Sequence, residues 1–256
     1  MSRRRSILLI AVVLIVGAAV VGWEHFPRDT ASRTTVGQAI SKFRQDAERG
    51  EGLPGGPELG VYRYAVKGGE ELDTTVLDAS HDYGGVSTIA ITPSRCGVEE
   101  RWQVLAERWT EAEVCRTASG SRLEAVRDSR EFFGRVELTS FSCQGDEVPR
   151  AADLRVGMSW TVSCASEDAS VETKIRVIGI ERVEVAGRSF DALHTKSSIA
   201  LAGKVSGTDE RDEWRRRSDG LLLRRAVATE ASVDVVAGGS YSERYSLRLL
   251  SVNPQR

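Results

Sequence analysis

The sequence predicts a mainly β protein, an antiparallel meander forming a curved sheet, half-barrel or barrel, preceded by an N-terminal transmembrane helix and a short amphipathic helix. Three observations carry that expectation. Beyond residue 60 the apolar residues recur with period two in about a dozen segments. Those segments are separated by Gly-rich or Asp-Gly turn signals rather than by helical stretches. Helical or continuous apolar patterning is confined to the first 50 residues.

Residues 1–23 open with Arg3, Arg4 and Arg5 and continue as an uncharged run from Ile7 to Trp23. Seventeen helical residues rise about 25 Å, at the short end of what spans a bilayer. Basic residues before the run, with Glu24 the first ionisable group after it, predict a cytoplasmic N-terminus and an extracytoplasmic C-terminal domain on a single-pass anchor. The competing reading is a cleaved signal peptide, because Val16-Gly17-Ala18-Ala19 offers small residues to a signal peptidase. No cysteine follows the run to carry a lipid.

Residues 24–57 form the juxtamembrane part. Val36, Ala39, Ile40 and Phe43 fall on one helical stripe within residues 34–49, a stalk or a packed lead-in helix. Glycine and proline between 50 and 57 then break regular structure. The β-rich domain occupies residues 58–256.

Within it, residues 61–66 and 70–77 flank Gly68-Gly69 as a hairpin, and residues 86–92 form a strand. Residues 96–115 suggest a second hairpin in which Trp102 pairs Trp109 and Cys96 pairs Cys115, at the cost of placing Glu100 opposite Glu111. Strands follow at 122–128, 131–143 and 158–164, with Pro149 in the last intervening loop. The final third reads as five strands: 171–185 with a bulge at Gly179, a Gly187-Arg188 turn, 190–201, 208–217, an Asp219-Gly220 turn, 221–236, and 241–252.

The 256 residues carry 35 basic and 37 acidic side chains and 41% hydrophobic residues, which allows a sizeable core and excludes disorder. Leaving out the three N-terminal arginines, 32 basic residues face 37 acidic ones, a net of −5 for the exported part. That balance argues against nucleic acid as a partner.

All four cysteines, Cys96, Cys115, Cys143 and Cys164, lie in the exported part, where an even count fits two disulfides. Of three connectivities, Cys96–Cys115 with Cys143–Cys164 is preferred. No close Cys pair suggests a metal, and no cofactor is called for.

The histidines are His25 in the juxtamembrane segment, His81 beside Asp82, and His194, which a two-residue Gly187-Arg188 turn would place opposite Glu181. No nucleophile elbow, zinc motif, phosphate loop or dinucleotide fingerprint accompanies them, so no catalytic residue is assigned. The basic run 214–217 with Arg224 and Arg225 is balanced by Asp209, Glu210, Asp212 and Glu213, and reads as the solvated face of a hairpin.

The stretches Gly97-Val-Glu-Glu-Arg-Trp102, Glu107-Arg-Trp109, Glu181-Arg-Val-Glu-Val-Ala-Gly187 and Trp214 to Arg224 resemble those of uncharacterised membrane-anchored secreted proteins of actinobacteria. The C-terminal third is similar in strand-turn pattern to lipoprotein-carrier-like half-barrels. The resemblance implies a concave sheet able to hold an acyl chain and transfers no site residue. The expectation is a non-enzymatic binding module, membrane-bound through residues 7–23, that holds an apolar or lipid ligand. Tyr62, Tyr64, Trp160, Phe190, Trp214, Tyr241 and Tyr245 are available to line a cavity or to fill the core. The alternative is a structural or protein-interaction component of the cell envelope.

Overall fold

The structure is a computed structural model that describes residues 29–47, 52–53, 55–75, 77–233 and 238–256. The expected membrane segment 7–23, the small-residue stretch 16–19 and His25 lie outside the described residues, as do 48–51, 54, 76 and 234–237. Among the described residues no helix is long and apolar enough to cross a membrane.

Fourteen strands make one sheet, and twelve of them close into an antiparallel barrel. The chain enters through helix α1 (Val36–Asp46), whose Thr35 cap accepts from Gln38 N while Gln38 Oε1 accepts from Thr35 N, a reciprocal capping box. The stripe predicted for it is used: Ala39 and Phe43 pack on Val61 of the outer wall, beside Ile40 and Ala90. The helix is therefore docked on the barrel rather than standing off it.

The wall runs β1 (Gly60–Thr74), β3 (Gly85–Pro93), β4 (Gly97–Gln103), β5 (Trp109–Arg116), β6 (Gly120–Phe132), β7 (Arg135–Gly145), β9 (Ser159–Ala165), β10 (Ala169–Val185), β11 (Arg188–Gly203), β12 (Val205–Arg216), β13 (Leu222–Val233) and β14 (Gly239–Leu249). β14 returns to β1 in register from Tyr64↔Leu249 to Thr74↔Gly239, which selects the barrel from the three sheet forms expected. The short strands β2 (Asp78–Asp82) and β8 (Val148–Pro149) pair with β1 and β6. The meander from β9 to β14 follows the sequence pattern, including the register shift between Val177 and Gly179.

Several local expectations change. Gly68-Gly69 is not a turn, because β1 passes straight through it. Gly68 sits at φ +122°, and a Cβ there would lie 2.0 Å from the Arg244 carbonyl oxygen, so only glycine lets the strand coil against β14. The β4–β5 hairpin is one residue out of the expected register: Trp102 pairs Thr110, Gln103 pairs Trp109, and Gly97 rather than Cys96 pairs Cys115. That shift replaces the Glu100–Glu111 repulsion by Arg101 opposite Glu111, whose side chains meet at 3.2 Å.

The break expected after residue 128 is absent, since Asp128 and Arg130 turn inward and pair with each other at 3.1 Å. The chain reverses instead at Phe133-Gly134, both left-handed (φ 54° and 70°), between Phe132 and Arg135. In the same way Ala186-Gly187 (φ 49° and 75°), not Gly187-Arg188, turns β10 into β11. Asp219-Gly220 belongs to a longer turn between Arg216 and Leu221, closed by Arg216 N donating to Leu221 O.

Both preferred disulfides are present, Cys96–Cys115 and Cys143–Cys164, with Cα separations of 4.7 and 4.0 Å. The second joins directly paired residues of β7 and β9.

Candidate functional site in the barrel lumen

Alternation along each strand decides which side chains reach the lumen, and the lumen is filled unevenly. Around β13, β14, β1, β3 and β4 it is packed solid. Tyr62, Tyr64, Val66, Ile89, Ile91, Leu247 and Leu249 are almost fully buried. Trp102 stacks on Tyr245 with centroids 4.6 Å apart, and Tyr83 meets both rings edge-on. Around β5 to β12 the inward side chains leave a cavity of about 1020 Å³, at the upper end of the size range of ligand pockets.

The cavity wall is chemically divided. Leu123, Val126, Phe141, Trp160, Val162 and Ile175, from β6, β7, β9 and β10, make an apolar surface around Cys143–Cys164. β12 contributes Asp209, Arg211, Glu213 and Arg215, four charged residues spaced by two, joined by Arg225 of β13 and Glu100 of β4. Arg211 holds Asp209 (Nη2 to Oδ2, 2.6 Å), and Arg225 and Arg215 hold Glu213 (2.6 and 2.8 Å). Burial opposes ionisation of Glu213, yet Arg215 and Arg225 prevail and hold its carboxyl well below the usual range. The guanidinium side chains of Arg211 and Arg215 remain 38% and 30% exposed, so this strip is paired but still offers N–H groups to the cavity.

A second network closes the end of the lumen where β6 meets β7. Glu70 of β1 lies directly opposite Glu243 of β14, a like-charge pair that needs cations. Arg108 supplies one: its Nε and Nη2 reach the two oxygens of Glu243 (2.9 and 3.1 Å), and its Nη1 reaches Asp128 (2.7 Å). Tyr83 and Tyr241 donate to Glu243 and Glu70, at 2.7 and 2.8 Å. Arg130 bridges Asp128 and the Tyr241 hydroxyl. Burial works against charge on both Asp128 and Glu243, but the arginines outweigh it and both carboxyls are held below their ordinary range.

His81 completes this network. Its Nδ1 lies 2.8 Å from Glu70 Oε1 and its Nε2 2.9 Å from Asp29 Oδ2, while the ring stacks on Phe132. Burial lowers the pKa of the imidazole, but Glu70 and Asp29 more than compensate and the net shift is upward. The stabilisation from its cation is therefore complete below the ordinary histidine value of about 6.5 and is lost as pH rises through the raised folded value. In a proton NMR titration His81 is expected to titrate above 6.5, and Glu70→Gln is expected to bring it down; an unshifted His81 would contradict the assigned pairing.

The remaining candidates separate. His194 sits on the outer face, stacked on Trp214 at 4.2 Å and flanked by Glu181 and Asp212, each at 2.7 Å. The expected contact with Glu181 exists, but diagonally, because Gly179 takes the directly opposite position. His81 and His194 thus face opposite sides of the wall and do not form one site. The basic run 214–217 splits by alternation: Arg215 points inward, while Trp214 is outward with Arg224 over its ring at 4.3 Å. Of the seven aromatic candidates, Trp160 lines the cavity. Tyr62, Tyr64, Tyr241 and Tyr245 are bound into the packed half, their large rings filling it, and Phe190 lies beneath Arg188 and Arg216. Cys96 and Cys115 approach Glu113 closely, but both sulfurs are in a disulfide, so this group offers no metal ligands.

Arg108, Glu70, Glu243 and Asp128 were not singled out from the sequence, while Asp209, Glu213, Arg215 and Arg225, expected on the solvated face of a hairpin, line the lumen instead. The spacing of Asp209, Arg211, Glu213 and Arg215 was a usable signal, since residues two apart on a strand share a face.

No family model matches the chain, and no curated protein matches it. Among solved structures it is similar to the hypothetical lipoprotein YmcC from Escherichia coli, at 12% identity over 88% of this chain and 100% of that one, with a TM-score of 0.37. It is also similar to a Bacteroides fragilis protein with a YmcC-like fold, at 12% identity over 74% of this chain and 95% of that one, with a TM-score of 0.28. Likenesses this distant bear on neither ligand nor activity, and the lumen itself has to carry the functional conclusion.

Proposed function

We propose that this protein is an extracytoplasmic, membrane-anchored, non-enzymatic binding module that takes an amphipathic lipid into its barrel. The observation that carries the reading is the uneven filling of the lumen: one half is packed like a protein core, the other leaves about 1020 Å³ between an apolar surface and a charged strip. An acyl chain suits Val126, Phe141, Trp160 and Ile175, and a polar headgroup suits the exposed N–H groups of Arg211 and Arg215.

Location outside the cytoplasm is supported by the Arg-rich start before an apolar run and by the two disulfides, which persist in oxidising compartments. The test is organic extraction of the full chain purified from membranes, followed by mass spectrometry. About one lipid per chain is expected after washing. A chain that comes out lipid-free, and crosslinks in cells to one defined protein neighbour instead, would favour a structural or interaction role in the envelope.

A further inference from the structure

The wall of the barrel has one weak seam. β7 meets β9 only from Ser142↔Ala165 to Gly145↔Val162, whereas the flanking ladders run further, β6–β7 from Ala125↔Ser142 to Phe132↔Arg135 and β9–β10 from Ser170↔Ala165 to Arg176↔Ser159. Among the described residues, 135–141 of β7 consequently pair with β6 alone and present a strand edge beside the cavity. Exposed edges of this kind are normally covered or charged. Here the alternation is inverted. Phe141 and Cys143 belong to the apolar lumen, which turns the Val136 and Leu138 side chains outward at the rim of the cavity, where they are 63% and 56% exposed.

The same hairpin holds the point at which the chain enters the described structure. Phe133 N, in the β6–β7 turn, donates to Asp29 Oδ1 at 2.8 Å, and Asp29 Oδ2 is fixed by His81. In the sequence the apolar run ends at Trp23, so five residues separate it from Asp29. Even fully extended, that connection spans only about 20 Å. A membrane-embedded run would therefore keep this end of the barrel, with its two exposed apolar residues and its open seam, close to the bilayer surface. The opposite end, where Leu250 follows β14, lies a full strand length away.

We propose that the open seam beside residues 135–141 lies against the bilayer, with Val136 and Leu138 in contact with lipid, and that lipid enters the lumen sideways through it. This rests on the anchored, lipid-binding reading above and adds the route and the surface. The exported part's net charge of −5 makes the contact apolar rather than an attraction to anionic headgroups.

The test places a benzophenone amino acid at position 138, or at position 250 as the far-end control, in the full chain reconstituted into phosphatidylcholine vesicles. After irradiation, position 138 is expected to give several-fold more lipid adduct than position 250. Equal adduct at both positions, or adduct to protein alone at 138, would overturn the proposal while leaving the lumen's lipid content, measured separately by extraction, untouched. Release of the chain from the vesicles by alkaline carbonate would overturn the anchor and this proposal together.

Discussion

Replacing Arg108 by methionine is expected to cost about 3–5 kcal/mol of stability at pH 7, the usual penalty for removing one partner of a buried ion network. Arg108 is 3% exposed and touches Glu243, Asp128, Thr110 and the Trp109 carbonyl. Its loss leaves Glu243 beside Glu70 without the cation that separates them, and Asp128 with Arg130 alone. Methionine fills much of the volume, so the loss reads out electrostatics rather than a cavity. The sign with pH follows. In the parent protein Asp128 and Glu243 have depressed pKa values, so their contribution is present above the ordinary carboxylate range and is lost as pH falls through the folded values. In the variant those carboxyls no longer have that support, and the deficit measured by urea unfolding should shrink as the pH falls below the ordinary carboxylate range of about 4. Adding Glu243→Gln to Arg108→Met should recover part of it. An unchanged midpoint for the single variant would contradict the network's role.

The second large effect is expected at the seam. Replacing Cys143 and Cys164 by serine removes a crosslink spanning 21 residues, worth about 3 kcal/mol by chain entropy. Location adds a consequence that the entropy does not. The bond pins the short β7–β9 ladder beside the edge of β7, with the β8 excursion leaving the wall between those strands. Hydrogen exchange should therefore accelerate first in residues 142–145 and 162–165, with the β10–β11 ladder still protected. Serine at Cys96 and Cys115 should cost a similar free energy without opening the wall, because β4 and β5 are paired from Gly97 to Gln103 regardless. Uniform exchange across the barrel in the first variant would show that the seam is no weaker than the rest.

What could be read in the sequence was local. The alternation and turns of β9 to β14, the bulge near Gly179 and the cysteine pairs all depend on neighbours within about 20 residues. Closure of β1 on β14 depends on residues up to 185 apart, Tyr64 and Leu249, and no local pattern encodes it. Gly68-Gly69 shows the difficulty: the same dipeptide serves a turn or a close strand crossing, and only the neighbouring Arg244 backbone decides. The β4–β5 register failed where matching tryptophans competed with charge pairing, and the charges prevailed. The lumen was hidden for a related reason. Until the sheet closes, Asp209, Arg211, Glu213 and Arg215 look like one solvated face of a strand, balanced in sign and unremarkable. Closure makes that face the interior and turns its pairing into a necessity.

Whether the unfilled half of the lumen is the ligand site is tested most directly by filling it. Val126→Trp and Thr173→Trp, on β6 and β10, each place a large ring in the cavity from a position that lines it. Extracted lipid per full-length chain, compared with the parent protein at matched circular dichroism, should fall severalfold in each variant and nearly to zero in the double variant. Folded variants that still carry the parental amount of lipid would contradict the claim that the barrel lumen holds it.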